Sequence, residues 1–268
     1  MKPPDFPLIY ERSVPGRKGI RVPKAGVPES EPSAVLGADL AAVDPPALPE
    51  LSENEVVRHF TRLSQRNAGI DTAFYPLGSC TMKHNPRANE AAARLPGFCR
   101  SHPLAAEALG QGCLELLVDL ETLLATLTGM DALSFQPAAG AQGEITGLLI
   151  IKQAQAKAGR GARDEVLVPD SSHGTNPASA ALAGFKVREV RSDARGRVDR
   201  ADLKKHLSDR TAALMMTNPN TLGLFENEIL ELARDVHEAG GLLYCDGANF
   251  NALVGRARPG DMGLDVMH

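Results

Sequence analysis

The most constraining feature of this sequence is an alternation that begins near Gly129. Short apolar runs, EVLVP (165–169), FKVREV (185–190), AALMMT (212–217) and LLYCD (242–246), are separated by segments with helical spacing. DALSF (131–135) reads as one more short strand, ahead of a glycine-rich turn. The spacing predicts helices over about 142–158, 176–183, 199–207 and 226–239. Strands joined through helices pair mostly in parallel, with right-handed crossovers that cover the sheet. Ligands of such open sheets bind beyond the carboxyl ends of the strands. Four loops fall at that place: QPAAGAQGE, PDSSHGTNP, TNPNTLG and DGANFN. They are far apart in sequence but converge if the sheet forms.

The earlier chain has a different texture. Residues 1–50 hold ten of the 19 prolines and show no strand or helix period. Proline removes a backbone donor and restricts its neighbour, so an extended arm is expected there. Ser52 followed by Glu55 is a capping box, and Val56, Val57, Phe60 and Leu63 supply one helical face ending around Asn67–Gly69. FYPLGSCTMKHNP suits a shaped loop, and Arg87–Leu95 a helix. A longer helix is expected from Pro103 towards Thr128, carrying Leu116, Leu117, Leu120, Leu123, Leu124 and Leu127, with Gly129 as its stop. Three regions result: an arm over 1–50, a helical and loop region over 51–128, and an α/β region over 129–268.

Composition excludes several classes. With 268 residues, 43% apolar and 23% charged, the chain can bury a large core and is not globally disordered. A net charge of -4 argues against a nucleic-acid binder. The densest basic stretch, 151–210, holds 13 Lys/Arg against 8 Asp/Glu, and reads as a solvated face or a patch for an anionic partner. No run of about 18 apolar residues suggests a membrane span, and the N-terminus shows no signal-peptide or transit pattern. Cys80, Cys99, Cys113 and Cys245 form no CxxC, which leaves a reduced, cytoplasmic setting as the plain expectation. The seven histidines show no HExxH or compact ligand set, so no metal is expected.

The residues at the four loops allow specific chemistry. Around Ala139, Gly140 and Ala141, small side chains at a helix start let backbone N–H groups approach a phosphate. The same glycines also suit a tight turn. AGAQGE is neither GxGxxG nor GxxxxGK[ST], which argues against dinucleotide and nucleoside-triphosphate sites. His173 can stack on a flat heteroaromatic ring, transfer a proton, or serve the fold. Asp246 ends an apolar strand, and a buried carboxylate needs a partner. A protonated ring nitrogen supplies one, with small Ala248 leaving room for the ring. A cap on the following turn is the other reading.

Together, FYPLGSCTMKHNP, QPAAGAQGE, PDSSHGTNPASA, TNPNTLGLFE and DGANFNALVGRARPGDMG resemble the glycine dehydrogenase (decarboxylating) family, the pyridoxal-phosphate-dependent P-proteins of the glycine cleavage system. The resemblance is strongest to the second subunit where the enzyme is divided over two chains, and weakest across Gly26–Pro49. It implies an α/β fold of the fold-type-I, pyridoxal-phosphate-dependent transferase type, an incomplete large domain with an extended N-terminal arm. The implied activity is glycine decarboxylation with pyridoxal 5'-phosphate, followed by transfer of the aminomethyl group to the lipoyl group of a carrier. The implied partners are glycine dehydrogenase (decarboxylating) subunit 1 and the lipoylated H-protein. By this resemblance Ala139, Gly140 and Ala141 form the phosphate cup, and His173 stacks on the ring. Asn220 bonds the phenolic oxygen, Asp246 holds the ring nitrogen protonated, and Ala248 lies beneath the ring. Ser79, Cys80 and Thr81 match a loop at the entrance for substrate. The family carries its cofactor on a lysine beyond the strand-end aspartate, whereas the last lysine here is Lys205. A chain cut before that lysine is therefore expected, inactive alone, with a non-catalytic scaffold subunit as the competing reading.

Overall fold

The computed structural model describes residues 6–42, 44, 46–74 and 82–268, and divides into two compact units, 1–75 and 76–268. In the first unit the arm is mostly irregular, with a 3-10 turn at Tyr10–Arg12 and one helical turn at Pro32–Leu36. It is pinned to the residues ahead of the first long helix. The Val14 N–H donates to the Glu50 carbonyl at 2.9 Å, and the Glu50 N–H to the Ser13 hydroxyl at 2.8 Å. Helix α1 (Glu53–Ser64) starts at the expected box, where the Glu55 carboxylate accepts from the Ser52 hydroxyl at 2.7 Å and the Ser52 N–H at 3.0 Å. Those bonds, with Arg17 beside them, hold the Glu55 carboxyl down at about 2.

In the second unit, α2 (Arg87–Ala93) and α3 (Gln111–Thr128) precede the sheet. The helix expected from Pro103 begins only at Gln111, because 103–110 is taken up by a turn and a 3-10 segment at Glu107–Leu109. Gly129 closes α3 in the left-handed conformation at φ 74°, where a side chain is strained. DALSF does not form a strand. A strand exists through its ladder, and no described strand pairs with this stretch.

Five parallel strands form one sheet in the order β2-β1-β3-β4-β5. They are β1 (Glu165–Pro169), β2 (Lys186–Val190), β3 (Thr211–Thr217), β4 (Leu242–Asp246) and β5 (Val266–Met267). The connecting helices are α4 (Gly140–Lys157), ahead of β1, then α5 (Thr175–Leu182), α6 (Arg200–His206) and α7 (Ile229–Glu238). The apolar runs fill both faces by alternation. Val166, Val168, Ala213, Met215 and Tyr244 join Leu148 and Ile151 of α4 in one core. Leu167, Leu214, Met216, Leu243 and Cys245 join Leu203, Leu232 and Val236 in the other. Successive side chains of a strand point to opposite faces, so a continuous apolar run is what a sheet covered on both sides requires. The edge strand β2 is largely exposed and carries Lys186, Arg188 and Glu189, charges that discourage further pairing. The strand order reverses beside β1, which has β2 on one flank and β3 on the other. That places a crevice at the carboxyl ends of β1 and β3.

Candidate active site

The site is assembled from the carboxyl ends of β1, β3 and β4 and the start of α4. Thr217 and Asp246 are register partners, so β3 and β4 end level. Asp246 is 3% exposed. Its Oδ1 accepts from the Ala248 N–H at 3.0 Å and lies 3.4 Å from His268 Nε2. Its Oδ2 accepts from Asn176 Nδ2 at 3.0 Å. Among the described residues no lysine or arginine pairs with it. A carboxylate buried to this degree without a strong cation is costly unless a ligand completes the site.

Asn176 also donates to Glu144 Oε1 at 3.2 Å, and the Ser179 hydroxyl donates to Glu144 Oε2 at 2.8 Å. Glu144 is itself 4% exposed. Behind this group the Tyr244 hydroxyl meets His268 Nδ1 at 2.8 Å, and burial raises the Tyr244 pKa far above its ordinary range. The ring of Tyr244 reaches α4 only because Gly147 lacks a side chain, since a Cβ there would collide with it. Burial likewise pushes the adjacent Cys245 thiol up to about 12, leaving it inert. Glu144, Asp246 and His268 bring their ligand atoms within 4.8 Å of one another, although each already has a polar neighbour of its own.

At the start of α4, Ala139 is extended and makes no side-chain cap. The first N–H groups of a helix have no partner inside it, so those of Gly140 and Ala141 remain available to an anion. Nothing lies within 4 Å of a Cβ built on Gly140. Ala138, Ala139 and Gly140 line a cavity of about 700 Å³ together with Gly247 and His268. His173 follows β1, half-buried, and its Nδ1 accepts from the Thr175 N–H at 3.4 Å. Its loop reaches Asp246 through Asn176, three residues on. Ala248 is half-buried, and its carbonyl accepts from Lys83 Nζ at 2.9 Å. Ser79, Cys80 and Thr81 lie outside the described residues.

The β3 turn holds two asparagines, Asn220, to which the resemblance assigns the phenolic oxygen, and Asn218. Asn220 is committed to its own loop: Nδ2 donates to the Gly196 carbonyl, and Oδ1 accepts from the Leu222 and Leu224 N–H groups. Asn218, before a cis bond to Pro219, is 2% exposed, and its Oδ1 accepts from the Glu226 N–H at 3.0 Å. Its Nδ2 is buried without a partner, as is Thr217 Oγ1. An orphaned donor beside the Asp246 strand end is what a ring oxygen of a bound cofactor would satisfy. A small hollow of about 10 Å³, room for one water, lies between Ser171, Ser172, Thr217 and Asn220. The sequence reading missed Glu144, Asn176, Asn218 and His268. One signal was present: Glu144 is the single acid between Ala132 and Arg163.

Comparison with known proteins bears on the chain as a whole and on its fold. The Aminotransferase class-V family model matches residues 144–265. The probable glycine dehydrogenase (decarboxylating) subunit 2 of Listeria monocytogenes serotype 4b is 57% identical over 98% of this chain and 54% of its own length. The corresponding protein of Desulforamulus reducens is 57% identical over 97% of this chain and 54% of its own length. The chain thus spans about half the length of the curated relatives it matches. Among solved structures, an inhibitor-bound glycine decarboxylase (P-protein) of the glycine cleavage system superposes with a TM-score of 0.67 at 25% identity, over 88% of this chain and 52% of that one. A sphingosine-1-phosphate lyase of Burkholderia pseudomallei shares the fold, with a TM-score of 0.54 at 18% identity over 80% of this chain and 50% of that one. The fold is that of the fold-type-I enzymes, whose cofactor is pyridoxal 5'-phosphate. With more than half of its residues identical over almost its whole length, the chain is closely similar to the corresponding half of glycine dehydrogenase (decarboxylating) subunit 2.

Proposed function

We propose that this chain forms the cofactor-holding part of a glycine decarboxylase that passes an aminomethyl group to a lipoylated carrier. The observation that carries the reading is Asp246, a buried carboxylate with no lysine or arginine partner among the described residues, whose register partner Thr217 is followed by Asn218 with its orphaned amide. The residues present fit pyridoxal phosphate. The N–H groups of Gly140 and Ala141, beside Ala139, bind the phosphate with the positive end of α4. Asp246 holds a proton at the ring nitrogen. His173 lies against one ring face and restrains its tilt, and Ala248 leaves room on the other. The contact to the phenolic oxygen is placed at Asn218, whose Nδ2 has no partner, rather than at Asn220, whose amide closes its own loop. Ser79, Cys80 and Thr81 keep their place as the substrate loop on resemblance alone. When bound, the cofactor supplies a protonated ring that accepts the electron pair released as the glycine carboxylate departs as carbon dioxide.

The partners in this reading are glycine dehydrogenase (decarboxylating) subunit 1 and the lipoylated H-protein, in a cytoplasmic setting that suits the free thiols Cys99, Cys113 and Cys245. No described helix is long and apolar enough to cross a membrane. The test is exchange of labelled carbon dioxide into glycine by the full-length protein with its partner subunit and carrier. Exchange is expected, and Asp246→Asn is expected to reduce it at least about a hundredfold while cofactor stays bound, since a neutral amide cannot pair with the ring N–H⁺. Absence of exchange with cofactor bound, or near-normal exchange in Asp246→Asn, contradicts the proposal.

A further inference from the structure

We infer that Glu144 is a positioning residue for Asp246, acting through the side-chain amide of Asn176; the inference rests on the cofactor reading above. Glu144 sits one turn into α4, on the helix whose start receives the phosphate, and its carboxylate is buried. Burying a second acid beside Asp246 is unfavourable unless both are tied to donors. His268 Nε2 lies 3.4 Å from Asp246 Oδ1 and 3.9 Å from Glu144 Oε1, and Asn176 provides the hydrogen-bonded tie. Its Nδ2 carries two hydrogens, one directed to Glu144 Oε1 at 3.2 Å and the other to Asp246 Oδ2 at 3.0 Å. The Oδ1 of the same amide is buried without a partner.

This arrangement permits one orientation of the amide. Turning it over sets Oδ1 against two carboxylates at once. With a single carboxylate nearby the preference is weaker, because only one repulsion opposes the flip. Glu144 therefore fixes Asn176, and the fixed amide holds Asp246 Oδ2, which sets how the carboxylate meets the ring nitrogen. Ser179 holds Glu144 in turn, through its hydroxyl at 2.8 Å. Three elements are brought into register by one amide: the phosphate-cup helix α4, the start of α5 after the His173 loop, and the end of β4.

A cofactor analogue isolates this role. Pyridoxal phosphate and its analogue with the ring nitrogen replaced by C–H differ only at the atom Asp246 meets. Titrating each into the full-length protein, followed by cofactor absorbance, gives a preference ratio. The wild type is expected to favour pyridoxal phosphate by about tenfold or more, the effect of one charge-assisted hydrogen bond. Glu144→Gln is expected to narrow the ratio to within about threefold, with the melting temperature of the cofactor-free protein little changed. Ser179→Ala, a smaller change that loosens Glu144, is expected to narrow it in part. If Glu144→Gln weakens both compounds equally and leaves the ratio intact, Glu144 is merely structural and the inference fails. If Glu144→Gln does not fold, an unchanged ratio in folded Ser179→Ala overturns it instead. A wild type that binds both compounds alike, or neither, overturns the cofactor reading itself and this inference with it.

Discussion

Asn218 and Asn220 stand two residues apart in one turn and are assigned different work by their hydrogen bonds alone. Asn220 closes its loop with three bonds, whereas Asn218 keeps a buried donor unpaired. Asn218→Ala is therefore expected to weaken pyridoxal phosphate binding by about fivefold to tenfold, the effect of one hydrogen bond. Asn220→Ala is expected to lower the melting temperature by several degrees with a smaller effect on binding. Equilibrium titration beside thermal melts checks both, and the reverse pattern restores Asn220 to the cofactor. The legible residues were those at strand ends, because a loop after an apolar run marks the ligand side of the sheet before any contact is known. Asp246 was singled out that way, and Gly140 by the same rule applied to DALSF, which forms no strand. Asn176 and Glu144 were not, since both lie within helices and helical spacing does not reveal which polar side chains are buried together. The lone acid in the Ala132–Arg163 stretch was the available clue, and it needed Asn176 to acquire meaning.

At the scale of elements, β1, β3 and β4 were legible because burial on both faces writes a continuous apolar run. DALSF carries a similar pattern without a ladder, and the helix expected from Pro103 begins at Gln111, after a turn that spacing alone cannot register. The strand β5 is only two residues long, too short for any period to announce it. Packing of α4 on β4 was hidden in its glycines. A Cβ at Gly147 collides with the wholly buried Tyr244 ring. Gly147→Ala is expected to destabilise the fold by about 1–3 kcal/mol, overpacking outweighing the helical preference for alanine. Gly140→Ala meets nothing within 4 Å and is expected to leave the melt unchanged while weakening cofactor binding. Denaturant melts of the two variants in the cofactor-free protein check the contrast, and equal losses would contradict this account of the helix face.

At the scale of the molecule, the sheet and its two cores form a rigid base for the strand-end loops, while much apolar surface stays uncovered. Leu116, Leu123 and Val118 of α3 are each more than half exposed, and the cavity of about 700 Å³ is lined largely by apolar groups. Exposed apolar area of this extent favours association. Light scattering of the 268-residue chain alone is expected to show species larger than a monomer, and a well-dispersed monomer with a cooperative melt contradicts that expectation. The central claim is narrower: Asp246 exists to hold a proton on a ring nitrogen. The most direct measurement is the ¹⁵N NMR signal of ring-labelled pyridoxal phosphate bound to the full-length protein. The account predicts a protonated ring nitrogen in the wild type and an unprotonated one in Asp246→Asn. An unprotonated nitrogen in the wild type, or the same signal in both proteins, would contradict it.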